Sequence, residues 1–283
     1  MKTRIISGAV GILVFGVALA ASIMVDKLIL HVLLAIVGCI GVYESLKPTG
    51  YADRKFLIIS SLIYAAITPF IYSVELLGLR FGFDVTIKHE VCIVIYGIVI
   101  FTISMFRHND IKPNNVAYAF TATVTLTFSF WSLAAIFSNA DGHGLFYLLI
   151  VVIAAWGCDT GAYFCGYFFG KHKMAPEISP KKTIEGAIGG ILFDVLIMLV
   201  ACLVFNKITD YSANILVILL ITPLLAFAGM MGDLVFSYIK RDCGIKDYGK
   251  IMPGHGGILD RFDSIIIVAP FMYIAVEHLP LVL

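Results

Sequence analysis

Apolar residues in this chain come in runs too long and too numerous for the core of a soluble domain. Runs of a membrane-crossing length, about 17 to 25 residues for about 30 Å of hydrocarbon, cover 5–25, 28–46, 56–78, 90–106, 115–138, 144–166, 184–205, 213–236 and 264–282. Inside hydrocarbon every backbone N–H and C=O needs a partner from its own segment, so runs of this kind become helices. The expected fold is therefore all-α: a polytopic transmembrane helix bundle of about nine spanning helices, with 1–283 as a single integral membrane domain. Composition agrees. Charged residues make up 14% of the chain, against about 25% in soluble domains, and mean hydropathy is +0.97.

The start, Met1-Lys2-Thr3-Arg4 followed by an apolar run, imitates a signal peptide, with Ala18-Leu19-Ala20 as a cleavage-like site. The run of 21 residues exceeds the roughly 7 to 15 of a signal core, which favours a first spanning helix. The short Asp26-Lys27 connection makes the first two runs a helical hairpin. Six cysteines are scattered without Cys-x-x-Cys spacing, and five lie in apolar runs, as core-filling residues do.

Sixteen of the twenty lysines and arginines fall on the N-terminus and on the loops after the second, fourth, sixth and eighth runs. The other side receives Lys27, Arg80, Lys88 and Lys207. By the positive-inside rule the N-terminus lies in the cytoplasm and the C-terminus outside, in the inner (plasma) membrane. An even number of crossings would destroy this split.

The same orientation places one polar island, residues 233–263, at the cytoplasmic face. It holds five acids, five bases and one histidine, and charge clusters between membrane segments mark functional sites by default. Asp260 and Asp263 are three apart at the start of the last run, on one face of a helix; Asp233 approaches from the end of the run before. Three such carboxylates form an oxygen set suited to Mg²⁺, which takes a few carboxylates together with substrate phosphates and water. The structural alternative pairs Asp260 with Arg261 or Lys240 and uses Asp263 as a helix cap.

Lys240, Arg241, Lys246 and Lys250 follow the eighth run. Such a cluster can simply face anionic headgroups. Interleaved with Asp247 and with Pro253-Gly254-His255-Gly256-Gly257, it reads as a folded anion pocket in which backbone N–H groups approach phosphate oxygens. His255 contacts phosphate, shuttles a proton, or packs in the loop. A second cationic patch, with Lys171, Lys173 and then Ser179-Pro180-Lys181-Lys182-Thr183, follows the sixth run. Ser179-Pro180 suits a helix entry, which would set Lys181 and Lys182 at the positive end of the seventh span; a positive-inside anchor is the plainer reading. Asp159 sits near the end of the sixth run. Asp194 lies nearer mid-membrane, where it suits a polar partner on another helix and no catalytic role. The glycines at 161, 166, 170, 186, 189 and 190 suit close helix packing in lipid.

The order Ser237-x-Ile239-Lys240-Arg241-x4-Lys246-Asp247-x5-Pro253-Gly254-His255-Gly256-Gly257-x-Leu259-Asp260-Arg261-x-Asp263 resembles the signature of the phosphatidate cytidylyltransferase (CDP-diacylglycerol synthase) family. Asp159-Thr160-Gly161-Ala162-Tyr163 with Gly166, Gly170 and Lys171, and Ser179-Pro180-Lys181-Lys182-Thr183-x-Glu185-Gly186, resemble two further family blocks. The likeness covers the C-terminal half; residues 1–140 match only as N-terminal spans. The resemblance implies transfer of CMP from CTP to phosphatidate, giving CDP-diacylglycerol and pyrophosphate. It makes 141–283 the catalytic half, with cytoplasmic loops 167–183 and 237–263. It also implies a homodimer, no nucleic-acid partner, and Mg²⁺ on Asp233, Asp260 and Asp263, with room for a monovalent cation such as K⁺.

With that resemblance the catalytic set is Asp233, Lys240, Arg241, Lys246, Asp247, His255, Asp260, Arg261 and Asp263. The substrate-binding set is Asp159, Lys171, Ser179, Lys181, Lys182, Ser237, Gly254, Gly256 and Gly257. A lipid phosphate is already a nucleophile, so no covalent enzyme intermediate is needed; positioning and charge suffice. A CTP-dependent kinase of a lipid alcohol would need similar loops. A transporter would place its charges nearer mid-membrane on several helices.

Overall fold

The computed structural model describes residues 2–51, 54–71, 88–138, 142–254 and 256–283, and the side chains of all of these except residues 2–6 and 12. Helical stretches stand where the nine apolar runs predict them: α1 (Lys2–Met24), α2 (Leu28–Leu46), α3 (Lys55–Ile67, closed by a 3-10 turn at Thr68–Phe70), α4 (His89–Phe106), α5 (Pro113–Ser138), α6 (Gly144–Val152), α7 (Cys158–Phe169), α8 (Ile184–Ile208), α9 (Ile215–Asp242) and α10 (Leu259–His278). A π-turn, Ile153–Gly157, joins α6 to α7 in one continuous stretch. Among the described residues seven helices are long and apolar enough to cross a membrane. The two other runs fall short for visible reasons. α3 and its 3-10 turn end at Phe70, and the rest of the 56–78 run lies largely outside the described residues. α10 carries Asp260, Arg261, Asp263 and Glu277 within its 20 residues.

The chain divides into two compact units, one of Met1–Ser138 with Asp247–Arg261, the other of Asn139–Lys246 with Phe262–Leu283. In the first, α1 and α2 form the expected hairpin, with Asp26 Oδ1 accepting from the Leu28 amide (2.8 Å) to start α2. Leu30, Leu34, Leu57, Ile100, Leu126, Phe130 and Ile136 fill its core. Polar groups are paired inside: His31 Nε2 with Ser138 Oγ (2.8 Å) and Ser61 Oγ with the Tyr96 hydroxyl (2.8 Å).

In the second unit, α7 and α8 meet along a glycine seam, as the spacing predicts. A Cβ at Gly186 would lie 2.8 Å from the Ala162 carbonyl oxygen, and one at Gly190 2.7 Å from that of Cys158. Only glycine lets the backbones come this close. Between the two helices the chain departs from the all-helical expectation. β1 (Lys173–Ala175) and β2 (Ser179–Thr183) pair antiparallel, Lys173 opposite Thr183 and Ala175 opposite Ser179. Ser179-Pro180 is therefore not the helix entry, and Lys181 and Lys182 lie in a strand, not in the first turn of the span. Thr183 decides this: it is extended (φ −126°, ψ 153°) and its Oγ1 accepts from the Gly186 amide (3.1 Å), so α8 starts only after it.

Candidate functional site

Polar side chains in the second unit gather at the ends of α7, α9 and α10. One turn of α9 separates Asp233 from Ser237, whose Oγ donates to Asp233 Oδ1 (3.3 Å). On the other side of that carboxylate, Lys182 of β2 places Nζ 2.6 Å from Oδ2. The residue before it, Gly232, packs on the α10 backbone: a Cβ there would lie 2.7 Å from the Asp263 carbonyl oxygen. This close approach sets Asp263 within electrostatic reach of Asp233, Asp159 and Lys240. Asp263 Oδ1 accepts from the Ser264 amide (3.0 Å), and Ser264 Oγ donates to Asp159 Oδ2 (3.1 Å). Lys240 is 8% exposed, an ammonium group held largely out of solvent within reach of the Asp263 carboxylate.

Arg241 turns elsewhere. Its Nε donates to the Ile178 carbonyl (3.4 Å) and Nη1 to that of Ile245 (3.3 Å), tying the hairpin to the end of α9. Lys171, Lys181 and Lys246 are exposed and Ser179 half-buried. The Lys171 and His172 amides both donate to Glu185 Oε2 (3.1 Å each). Asp194 is fully buried beside the π-turn, with Oδ1 2.8 Å from where a Gly157 Cβ would lie. The partner expected for it on another helix is missing: neither carboxylate oxygen has a hydrogen-bond partner among the described residues. Space left by Gly157, and not a donor, accommodates it.

In the first unit, residues 247–254 and 256–258 lie in a tight turn ahead of α10. Met252 and Gly256 exchange backbone hydrogen bonds (3.0 and 3.1 Å), and Gly254 and Gly256 take φ of 78° and 92°, a region glycine enters without strain. Asp260, 6% exposed, accepts at Oδ2 from the amides of Tyr248 (2.8 Å) and Gly257 (2.9 Å). It thus ties both ends of the turn to the first turn of α10 through backbone amides. Asp247 is exposed, its Cβ 3.3 Å from where one on Gly256 would lie; Arg261 is exposed. His255 lies outside the described residues.

No group of three or more histidine, cysteine, aspartate or glutamate side chains among the described residues is arranged to hold a metal ion. Asp233 and Asp263 are oxygen donors of the kind a hard cation takes when phosphates complete its shell. Two participants escaped the sequence reading. Ser264 follows Asp263 directly, and its hydroxyl had no motif to mark it. Glu44 had a mark, being an acid inside an apolar run, but no motif around it.

Apolar helices long enough to cross a membrane repeatedly, with carboxylates and lysines drawn together among three of them, define a multi-pass membrane protein with a polar cluster. A model of the cytidylyltransferase family matches residues 2–279. The phosphatidate cytidylyltransferase of Bacillus subtilis is 34% identical over 275 residues, 96% of this chain and 96% of that one. Those of Staphylococcus epidermidis and Staphylococcus aureus are 39% identical over 179 residues (63% of this chain, 67% of theirs) and 49% over 138 (49% and 52%). This chain belongs to the cytidylyltransferase family.

Proposed function

We propose that the protein transfers CMP from CTP to phosphatidate, yielding CDP-diacylglycerol and pyrophosphate for phospholipid biosynthesis. The observation that carries this reading is the meeting of Asp159, Asp233 and Asp263 with Lys182 and Lys240, in a chain related over nearly its full length to a phosphatidate cytidylyltransferase. In the reaction a phosphatidate oxygen attacks the α-phosphorus of CTP in line. The new P–O bond replaces the α–β bridging bond, and pyrophosphate leaves with its electron pair. The difficulty is electrostatic, since both reactants are anions. Lys182 and Lys240, with Lys171, Lys181 and Lys246 around the loops, hold phosphates against that repulsion, while Arg241 steadies the hairpin that carries Lys181 and Lys182.

The family resemblance assigns Mg²⁺ to Asp233, Asp260 and Asp263, with a monovalent cation such as K⁺ beside it. Bound there, magnesium would offset the charge of the two phosphates and of the departing pyrophosphate. With CTP excluded from lipid and the acyl chains confined to it, the site belongs at the membrane rim. The sixteen-to-four distribution of lysine and arginine supports the cytoplasmic rim of the plasma membrane, with the N-terminus inside and the C-terminus outside. The family resemblance supports a homodimer, which crosslinking in native membranes tests.

CTP labelled at the α- or the γ-phosphorus decides the chemistry. Purified protein with phosphatidate and Mg²⁺ is expected to move α-label into lipid and γ-label into pyrophosphate. Label from the γ-position appearing in lipid would instead establish a lipid kinase. Undiminished α-transfer after removal of divalent metal would overturn the magnesium assignment.

A further inference from the structure

We propose that Glu44, in the last turn of α2, is a positioning residue for Asp260 and the glycine turn, so that an N-terminal span sets the geometry of this turn. The inference rests on the reading of Asp260 as a site residue. Glu44 lies 215 positions before Leu259, yet its Oε2 accepts from the Leu259 amide (2.9 Å). The side chain is 3% exposed, and Oε1 has no hydrogen-bond partner among the described residues. Its carboxylate lies against Gly249 and Gly257 so closely that a Cβ on either would overlap it. Gly257 is thus held twice, its amide by Asp260 and its Cα face by Glu44.

Leu259 immediately precedes Asp260 and opens α10, so fixing its amide fixes the direction in which that helix launches the Asp260 side chain. The glycines at 249 and 257, which suit the approach of a phosphate, are also required by the carboxylate behind them. A buried acid with an unsatisfied oxygen is a poor means of gaining stability, because an apolar residue of similar volume would avoid the desolvation cost. A carboxylate facing the amides at a helix N-terminus is favourable, and here it joins elements that the sequence keeps far apart. A small displacement of a catalytic group costs far more in rate than in stability.

The test uses the full-length protein in phosphatidate-containing mixed micelles, with Glu44→Ala, Glu44→Gln and, as reference, Asp260→Asn. Glu44→Ala is expected to lower kcat by roughly 10- to 100-fold, as loss of a residue supporting a ligand does. The Mg²⁺ concentration for half-maximal rate should rise, while KM for phosphatidate stays within about twofold. Amide hydrogen exchange at residues 248–259 should accelerate, while exchange in α4 and α5 does not. Glu44→Gln, which keeps an acceptor for Leu259, should recover most of the kcat that alanine loses. Should the alanine variant fail to survive solubilisation, Glu44→Asp withdraws the carboxylate by one methylene and is expected to show the same kcat loss at unchanged phosphatidate KM. Wild-type kcat and metal dependence in the alanine or aspartate variant would overturn the proposal. So would a loss that glutamine fails to rescue and that follows thermal stability alone. Full activity of Asp260→Asn would instead sink the reading of Asp260, and exchange, which needs no turnover, would still judge the contact itself.

Discussion

Asp233 and Asp263 stand where α9 and α10 touch, with Gly232 allowing the α9 backbone to come up against the Asp263 carbonyl. Neutralising either keeps shape and removes charge. Asp263→Asn is expected to lower CMP transfer by more than the roughly 10- to 100-fold typical of outer-shell partners, with insertion and thermal stability kept, as steady-state kinetics and a melting curve would show. Lys182→Ala removes the ammonium group 2.6 Å from Asp233; KM for CTP should rise about tenfold, some 1.4 kcal/mol of binding, with Lys182→Arg intermediate. An unchanged KM would confine Lys182 to a structural pair. These residues could be read in the sequence, because ionised groups beside hydrocarbon are costly to keep and gather where a ligand or a reaction needs them. Glu44 and Ser264 could not be placed in that way. Their roles depend on which backbone amide or carboxylate lies opposite, and for Glu44 that partner is 215 positions away.

Among elements, the α7–α8 pair shows best what spacing can and cannot specify. Glycines at 186, 189 and 190 recur on one face of α8 and meet Ala162, Cys165 and Cys158 of α7 as the small-residue spacing predicts. Gly190→Ala puts a methyl group 2.7 Å from the Cys158 carbonyl and 2.9 Å from the Ala162 Cβ. The cost should be that of overpacking, about 1–3 kcal/mol, visible as a lowered Tm in detergent; an unchanged Tm would mean that the seam yields freely. The hairpin between the same helices was not legible. Ser179-Pro180 carries a helix-start signal, and only the ladder to Lys173 and Ala175 and the extended Thr183 override it. Thr183→Ala removes the oxygen accepting from Gly186 and should cost about 1 kcal/mol, measured in the same melting experiment.

For the whole molecule, hydropathy alone leaves the count of crossings open at two places, since α3 is short and α10 has three charged residues in its first turns. Charge distribution addresses the first. If α3 failed to cross, every later loop would change sides, and the sixteen-to-four distribution of lysine and arginine would become a mixture that insertion does not favour. The charges of α10 do not argue against its crossing, because Asp260, Arg261 and Asp263 crowd the first turns, where a helix end meets the polar layer, and Glu277 lies at the other end. An odd number of crossings puts the two termini on opposite sides. A short epitope added after Leu283 should therefore be removed by protease from intact right-side-out vesicles, while one added before Met1 is removed only after the vesicles are opened. Both epitopes cut in intact vesicles, or neither, would require an even number of crossings. The C-terminal epitope protected and the N-terminal one cut would reverse the orientation and move the site to the face that CTP does not reach.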